Sequence, residues 1–317
     1  MSFPGGSRLT DMTALDESTF AAAVEPLRRE LQVHCYRMLG SFEESEDLTQ
    51  ETFLRAWRRR ETYAARASVR AWLYKIATNA CLDALEKRPR SPTAEGEVAW
   101  LSPYPDELLD ASPEEAVVDR ETIELVFLLA LQHLAPRPRA VLILRDVLGW
   151  RARECAALLE TTEASVNSAL QRARAGLKEH LPPDRGEWSV AGSASERALV
   201  ARFVAATEAA DVAEIKALMH EHSRFMMPPE PGVYRGRHVI VDGWVSGGFG
   251  SPEFGELRLV ETRANRQPAL ANYVRKPGED VFRALALDVL RVQHGQVTDL
   301  IMFGSSVFAG FGLPEVL

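Results

Sequence analysis

The sequence predicts a multidomain chain: two all-α modules followed by an α+β domain. Three observations carry that reading. Apolar residues recur at helical spacing from Asp16 to Lys87 and again from about Pro113 to His180. Between them, residues 88–115 hold five prolines and break the period. From about Ala194 onward two helical segments are followed by short runs rich in Val, Leu and Phe, the order of an α+β domain.

Taken in order, Pro26 suits the first turn of a helix running to Leu39, and Gly40 is its stop signal. Ser41 is placed to cap a second helix, whose first turn holds Glu43 and Glu44 where the helix dipole favours acids. A polar connection at 61–68 leads to a third helix with Trp72, Leu73, Ile76, Ala80 and Leu85 on its inner face. After the proline-rich stretch, helical signal runs through Ile123, Val126, Leu129 and Leu134 until Pro136 and Pro138 interrupt it. Helices are then expected at 139–148, 152–159 and 164–180, with Pro182, Pro183 and Gly186 closing the module. The last part is expected to hold helices at 196–210 and 212–220, then strands at 257–262, 269–275, 282–292 and 296–303 in an antiparallel sheet. His294-Gly295 between two alternating runs is a hairpin signal. The expected limits are 16–90 and 116–182 for the helical modules, 91–115 for the linker and 196–317 for the α+β domain.

Composition narrows the class. With 317 residues, 46% hydrophobic and 26% charged, the chain has room for two or three cores. No apolar run approaches the ~20 residues of a membrane span, so no membrane association is expected. The N-terminal residues lack a basic stretch followed by an apolar one, so no secretory signal is expected. Cys35, Cys81 and Cys155 are far apart and odd in number, which argues against a disulfide framework and against a zinc site. The expected compartment is the cytoplasm, and no metal or cofactor is expected.

The net charge of −8 hides a strong pattern. Residues 53–90 carry ten Lys or Arg against three acids; residues 91–124 carry ten acids against one Arg. Residues 133–180 return to eight basic against five acidic residues. Two basic stretches flank an acidic one, and for a nucleic-acid partner the distribution decides.

The segment 152–178 reads as a helix-turn-helix. Val166, Leu170, Ala173 and Leu177 form one buried stripe on its second helix. The opposite face is Ser165, Asn167, Ser168, Gln171, Arg172, Arg174 and Lys178. Ser, Asn and Gln can reach base edges in the major groove, and Arg and Lys can neutralise phosphates. The turn Glu160-Thr161-Thr162 lacks the glycine common there.

Further upstream, Glu46-Asp47-Leu48, Gln50-Glu51 and Phe53 to Trp57 resemble the second region of extracytoplasmic function (ECF) sigma factors. Trp72-Leu73-Tyr74, Ile76-Ala77, Asn79 and Leu82-Asp83 are similar to the adjoining promoter-melting segment, and "SVNSALQRARAGL" resembles the fourth sigma region. The resemblance spans residues 16–182, with the motifs in the family's order. It implies an alternative sigma factor that binds core RNA polymerase and directs promoter-specific initiation. By resemblance, the acidic helix with Glu43, Glu44, Glu46, Asp47, Gln50 and Glu51 docks on the clamp helices of the β′ subunit, and the fourth region meets the β flap. The third helix offers Arg66, Arg70, Lys75 and Arg88 around Trp72 and Asn79, a mixture suited to a single strand, where stacking is worth about 1–3 kcal/mol per base. An indole at Trp72 is also a natural core residue. Asn79 and the 61–68 loop are implied readers of an extruded downstream base. The upstream element is implied to be read as duplex by the helix-turn-helix.

Residues 196–317 resemble the SnoaL-like branch of the cone-shaped nuclear-transport-factor fold, through "EIKALMHEHSRFMMPP", "YRGRHVIVDGW" and the closing strand pair. Trp100 to Asp106 resemble the linker motif of sigma factors that carry such a domain. The resemblance implies regulation in cis and a pocket for a small ligand, with Tyr234, His238, Asp242 and Trp244 as its candidate residues and Asp299 as a further carboxylate. Two other readings stand beside it: a small-molecule enzyme of the steroid-isomerase or polyketide-cyclase kind, and a dimeric helix-turn-helix repressor, which leaves residues 41–90 without a role. The sigma-factor reading expects no catalytic residues.

Overall fold

The computed structural model describes residues 17–63, 68–87, 98, 100–110, 122–181 and 193–317. The first helices are α1 (Glu17–Val24), α2 (Arg28–Leu39), α3 (Phe42–Arg58) and α4 (Val69–Lys87). Next come α5 (Asp106–Asp110), α6 (Leu125–Gln132), α7 (Pro136–Leu142), α8 (Ala152–Leu158) and α9 (Glu163–His180). Then follow α10 (Ala194–Glu208), α11 (Val212–Leu218), strands β1 (Met219–Met227) and β2 (Glu230–Arg235), and α12 (Arg237–Ser246). Strands β3 (Glu256–Ala264), β4 (Gln267–Arg275), β5 (Arg283–Gln293) and β6 (Gln296–Gly304) complete the order. The chain forms two compact units: residues 1–90 with 134–179, and residues 91–133 with 180–317.

In the first unit the local signals mostly act as expected. Gly40 takes φ 73° and its N–H donates to the Tyr36 carbonyl at 2.7 Å, ending α2. Ser41 is extended and its hydroxyl accepts from the Glu44 N–H at 3.4 Å, opening α3. Pro26 departs from expectation: it lies in a 3₁₀ turn, Glu25–Leu27, and α2 begins only after it. The interruption expected at Pro136 and Pro138 is present: α6 ends at Gln132, and the two prolines lie in the first turn of the next helix, α7, where the missing N–H costs nothing. A π-helical turn, Ile143–Val147, follows.

His34 shows what this packing does to a titratable group. It is fully buried, with Nε2 2.9 Å from the Thr78 hydroxyl. Burial, and then the charges of Arg37 and Arg70, push its pKa down to about 3. The folded pKa lies below that of the unfolded chain, so the neutral ring's contribution is complete above pH ~6.5 and fades as pH falls toward 3, at about 1.4 kcal/mol per unit. Between pH 7 and pH 5 the protein should therefore lose about 2 kcal/mol more stability than a His34→Leu variant, as read by denaturant titration. Equal losses would contradict this account.

The second unit is one six-stranded sheet in the order β2-β1-β6-β5-β4-β3. The two hairpins β3–β4 and β5–β6 match the expected strands, and the latter turns on His294 (φ 49°) and Gly295 (φ 71°), both left-handed as a two-residue turn requires. The expectation of a purely antiparallel sheet is corrected: β1 runs parallel to β6. The helix expected at 212–220 ends at Leu218, because Met219 already enters β1. α10 and α11 and the inner face of α12 bury Leu199, Phe203, Ile215, Ile240 and Val241 against Phe225, Leu270, Leu290 and Leu300 of the sheet.

Candidate functional site

On α3, Glu43, Glu46, Asp47 and Gln50 are exposed at i, i+3, i+4 and i+7, one continuous face, while Ser45, Thr49, Thr52, Phe53 and Ala56 are buried beneath it. Glu44 and Glu51 are half-buried, and Glu51 accepts from Arg55 at 2.8 Å. The described residues thus present four of the six expected positions to solvent.

The expected strand-binding helix α4 is partly engaged with its own unit. Asn79 is exposed. Arg70 pairs with Glu30 at 2.9 Å and lies over the Tyr74 ring at 5.1 Å. Lys75 pairs with Glu160 at 2.8 Å. Trp72 is half-buried with its ring 5.3 Å from Tyr63, at the wall of a cleft of about 680 Å³ that also takes in Arg70, Lys75 and Trp150. Arg66 and Arg88 lie outside the described residues. Exposed pairs such as Lys75–Glu160 are worth only about 0–1 kcal/mol, so a phosphate can displace them.

α8 and α9 form the helix-turn-helix. The turn that lacks glycine places Glu160 itself in the left-handed region, φ 52°. Val166, Leu170, Ala173 and Leu177 are buried as expected, joined by Ala169. Ser165, Asn167, Ser168, Gln171, Arg172 and Arg174 are all exposed. Arg172 makes no hydrogen bond or ion pair among the described residues, whereas Arg174 is bidentate to Asp146 at 2.7 and 2.8 Å. Only one of the two arginines therefore presents an uncommitted cation.

The second unit holds a cavity of about 820 Å³ between α12, α10 and the sheet. Tyr234 and Trp244 line it; His238 and Asp242 do not. The reason is helical: Val239, Ile240, Gly243, Trp244 and Gly247 follow one face of α12, and His238 and Asp242 fall on the next. His238 is exposed, and Asp242 pairs with Lys216 at 2.6 Å. Asp299 is buried but committed, held by Arg224 and by Arg291 at 3.3 Å. Sequence reasoning missed Asp288 and Asn272, which do line the cavity. Asp288 is 7% exposed, and burial pushes its pKa up to about 7 against a hydrogen bond from Asn272. Its one sequence signal is being the lone acid in the apolar run of β5.

The same unit binds the linker. The β3–β4 turn places Asn265 (φ 56°) against the chain at Tyr104 and Ile123. The Tyr104 N–H donates to Asn265 Oδ1 at 2.8 Å, Asn265 N–H donates to the Tyr104 carbonyl at 2.9 Å, and Asn265 Nδ2 donates to the Ile123 carbonyl at 2.8 Å. Asp106 accepts from the Arg266 N–H at 2.7 Å and pairs with Arg263 at 3.3 Å. Gln267 accepts from the Leu125 N–H at 3.0 Å, and Glu124 lies 3.8 Å from Arg291, both side chains nearly fully buried. Tyr104, Asn265 and Ile123 have no exposed surface.

Two families match the chain: Sigma-70 region 2 at residues 23–91 and Sigma-70, region 4 at residues 124–177. The ECF RNA polymerase sigma factor SigG of Mycobacterium tuberculosis is 40% identical over 98% of this chain and 91% of its own length. SigJ of the same species is 29% identical over 87% of this chain and 88% of its own length. The crystal structure of Mycobacterium tuberculosis SigJ superposes with a TM-score of 0.63 at 24% identity, covering 93% of this chain and all of that one. The expected order of folds stands: two all-α sigma regions, then an α+β domain on one six-stranded sheet.

Proposed function

The chain belongs to the ECF RNA polymerase sigma factors, alternative sigma factors that direct transcription initiation, and from that premise we propose how its surfaces divide the work. It is a transcription initiation factor rather than an enzyme, and its partners are core RNA polymerase and promoter DNA. The exposed acidic face of α3 docks on the β′ clamp helices, and the helix-turn-helix module meets the β flap. α9 reads the upstream element as duplex through Ser165, Asn167, Ser168, Gln171 and Arg172. α4, with Asn79 exposed, takes the melted downstream strand. The work is done in the cytoplasm; among the described residues no helix is long and apolar enough to cross a membrane.

The observation that carries the DNA assignment is the division of α9 into a buried apolar stripe and an exposed face of small polar residues with Arg172 and Lys178, neither of them ion-paired among the described residues. Holoenzyme binding to a promoter should lose about one unit of salt slope in Arg172→Ala, one phosphate contact's worth. Arg174→Ala should lose less, because its guanidinium is shared with Asp146. Asn167→Ala should instead cost roughly 1–3 kcal/mol at a single base pair. Salt titrations with core polymerase present decide this: an unchanged slope in Arg172→Ala removes that residue from the contact set.

The C-terminal domain acts in cis through the linker. What supports this is the set of hydrogen bonds between Asn265, Arg266 and Gln267 on one side and Tyr104, Asp106, Ile123 and Leu125 on the other, which ties the domain to the segment after region 2 and to the start of region 4. The cavity beside Tyr234 and Trp244 holds the small ligand of that control.

A further inference from the structure

The cavity of the C-terminal domain is walled by rings in series. Tyr234 and Trp244 lie 6.0 and 5.4 Å from Phe225, Phe249 lies 6.4 Å from Trp244, and Phe254 lies 6.2 Å from Phe249. The titratable side chains that line the cavity are Asp288 from β5, Glu230 from β2 and Tyr234. Among the described residues no lysine, arginine or histidine lines it. Asp288 Oδ1 is buried without a hydrogen-bond partner, and so is the Trp244 indole N–H on α12. Leu270 on β4 and Met302 on β6 pair with Asp288 in register, Asn272 lies two residues along β4, and none of the three is charged.

Two carboxylates, an aromatic wall and no cation exclude an anionic ligand, because nothing in the lining would offset its charge. A neutral ligand would leave Asp288 in an apolar site that disfavours its ionised form. A protonated amine removes that penalty: its N–H reaches the unpartnered oxygen and its charge is also favoured by the ring faces. We propose that this cavity is a binding site for a lipophilic amine, an apolar body carrying one ammonium group that donates to Asp288. The proposal rests on reading the cavity as the ligand site of the cis control, and it names the ligand's chemical class. The Trp244 N–H is left to serve an acceptor oxygen on the same molecule.

The test uses the full chain and three probes of one shape: 4-phenylbutylamine, 4-phenylbutanol and 4-phenylbutanoate, titrated by calorimetry or ligand-observed NMR. At about pH 8 the amine should bind at least tenfold more tightly than the alcohol, and the carboxylate should be weakest. Asp288→Asn should bring the amine down to the alcohol. Lowering the pH from about 8 to about 6 should weaken the amine roughly tenfold in the unsubstituted protein, because Asp288 takes up a proton near pH 7, and should leave the alcohol unchanged. That pH comparison stands even if the variant fails to fold. Alcohol binding as tight as the amine, with no response to Asp288→Asn or to pH, overturns the amine while leaving a ligand cavity. No binding by any of the three probes overturns both.

Discussion

Asn265→Ala should lower the stability of the C-terminal unit by about 2–4 kcal/mol, because it leaves two buried backbone groups without partners. The Tyr104 N–H and the Ile123 carbonyl are both served by this one side chain, at 2.8 Å each, in a site with no exposed surface. Alanine is also strained at φ 56°, where asparagine is tolerated. Asn265→Asp separates the two bonds: a carboxylate still accepts from Tyr104 but cannot donate to Ile123, so it should fall between the parent and alanine. Thermal unfolding measures the loss, and limited proteolysis near Tyr104 should quicken in step with it. If the linker contact transmits control, promoter output at fixed core polymerase should shift in the same two variants. A melting curve unchanged in Asn265→Ala would remove the clamp from the account.

Arg139→Leu should be comparably costly, about 3–5 kcal/mol, in the sigma unit. The guanidinium of Arg139 is only 3% exposed and donates to the Met38 carbonyl near the end of α2 and to the Leu134 carbonyl at 2.9 Å. It thereby satisfies a helix-end carbonyl that α2 leaves open and ties α7 to α2. Leucine fills the space but leaves both oxygens buried and bare. Lysine keeps the charge with fewer donors and no fixed fork, so Arg139→Lys should recover part of the loss. Denaturant unfolding of the two variants gives the comparison. Parity of leucine with the parent would mean that the buried bonds are not what joins these helices.

Legibility in the sequence followed the range of the interaction. Gly40, Ser41 and His294-Gly295 act on their immediate neighbours, and the structure uses them as their residue types suggest. The buried stripe of α9 was readable because helical period alone decides it. β1 was not, since its partner β6 is far away in sequence and runs parallel to it, and after Met219 its residues His220, Glu221 and His222 are polar and not buried. With α12 unread as a helix, no period could tell His238 and Asp242 from the cavity-facing Val239, Gly243 and Trp244. Asn265 carries no local sign of its role, and Asp288 only the weak one of being the lone acid in β5. One sits in an ordinary turn, the other in an apolar strand, and each gains its chemistry from segments brought in by the tertiary fold.

Charge in the sigma unit also had to be read in three dimensions. Ten basic residues at 53–90 suggested a broad cationic surface, yet Arg55, Arg70 and Lys75 are each paired to an acid of the same unit. The pairs are exposed, so they moderate the surface without closing it.

The most direct measurement is run-off transcription by core RNA polymerase on genomic fragments, with and without the full chain. The account predicts discrete promoter-specific transcripts that appear only when the chain is added, and that weaken when Glu46 and Asp47 are reversed to lysine on the exposed face of α3. Absence of any promoter-specific transcript, or tight sequence-specific DNA binding by the chain without polymerase, would contradict it.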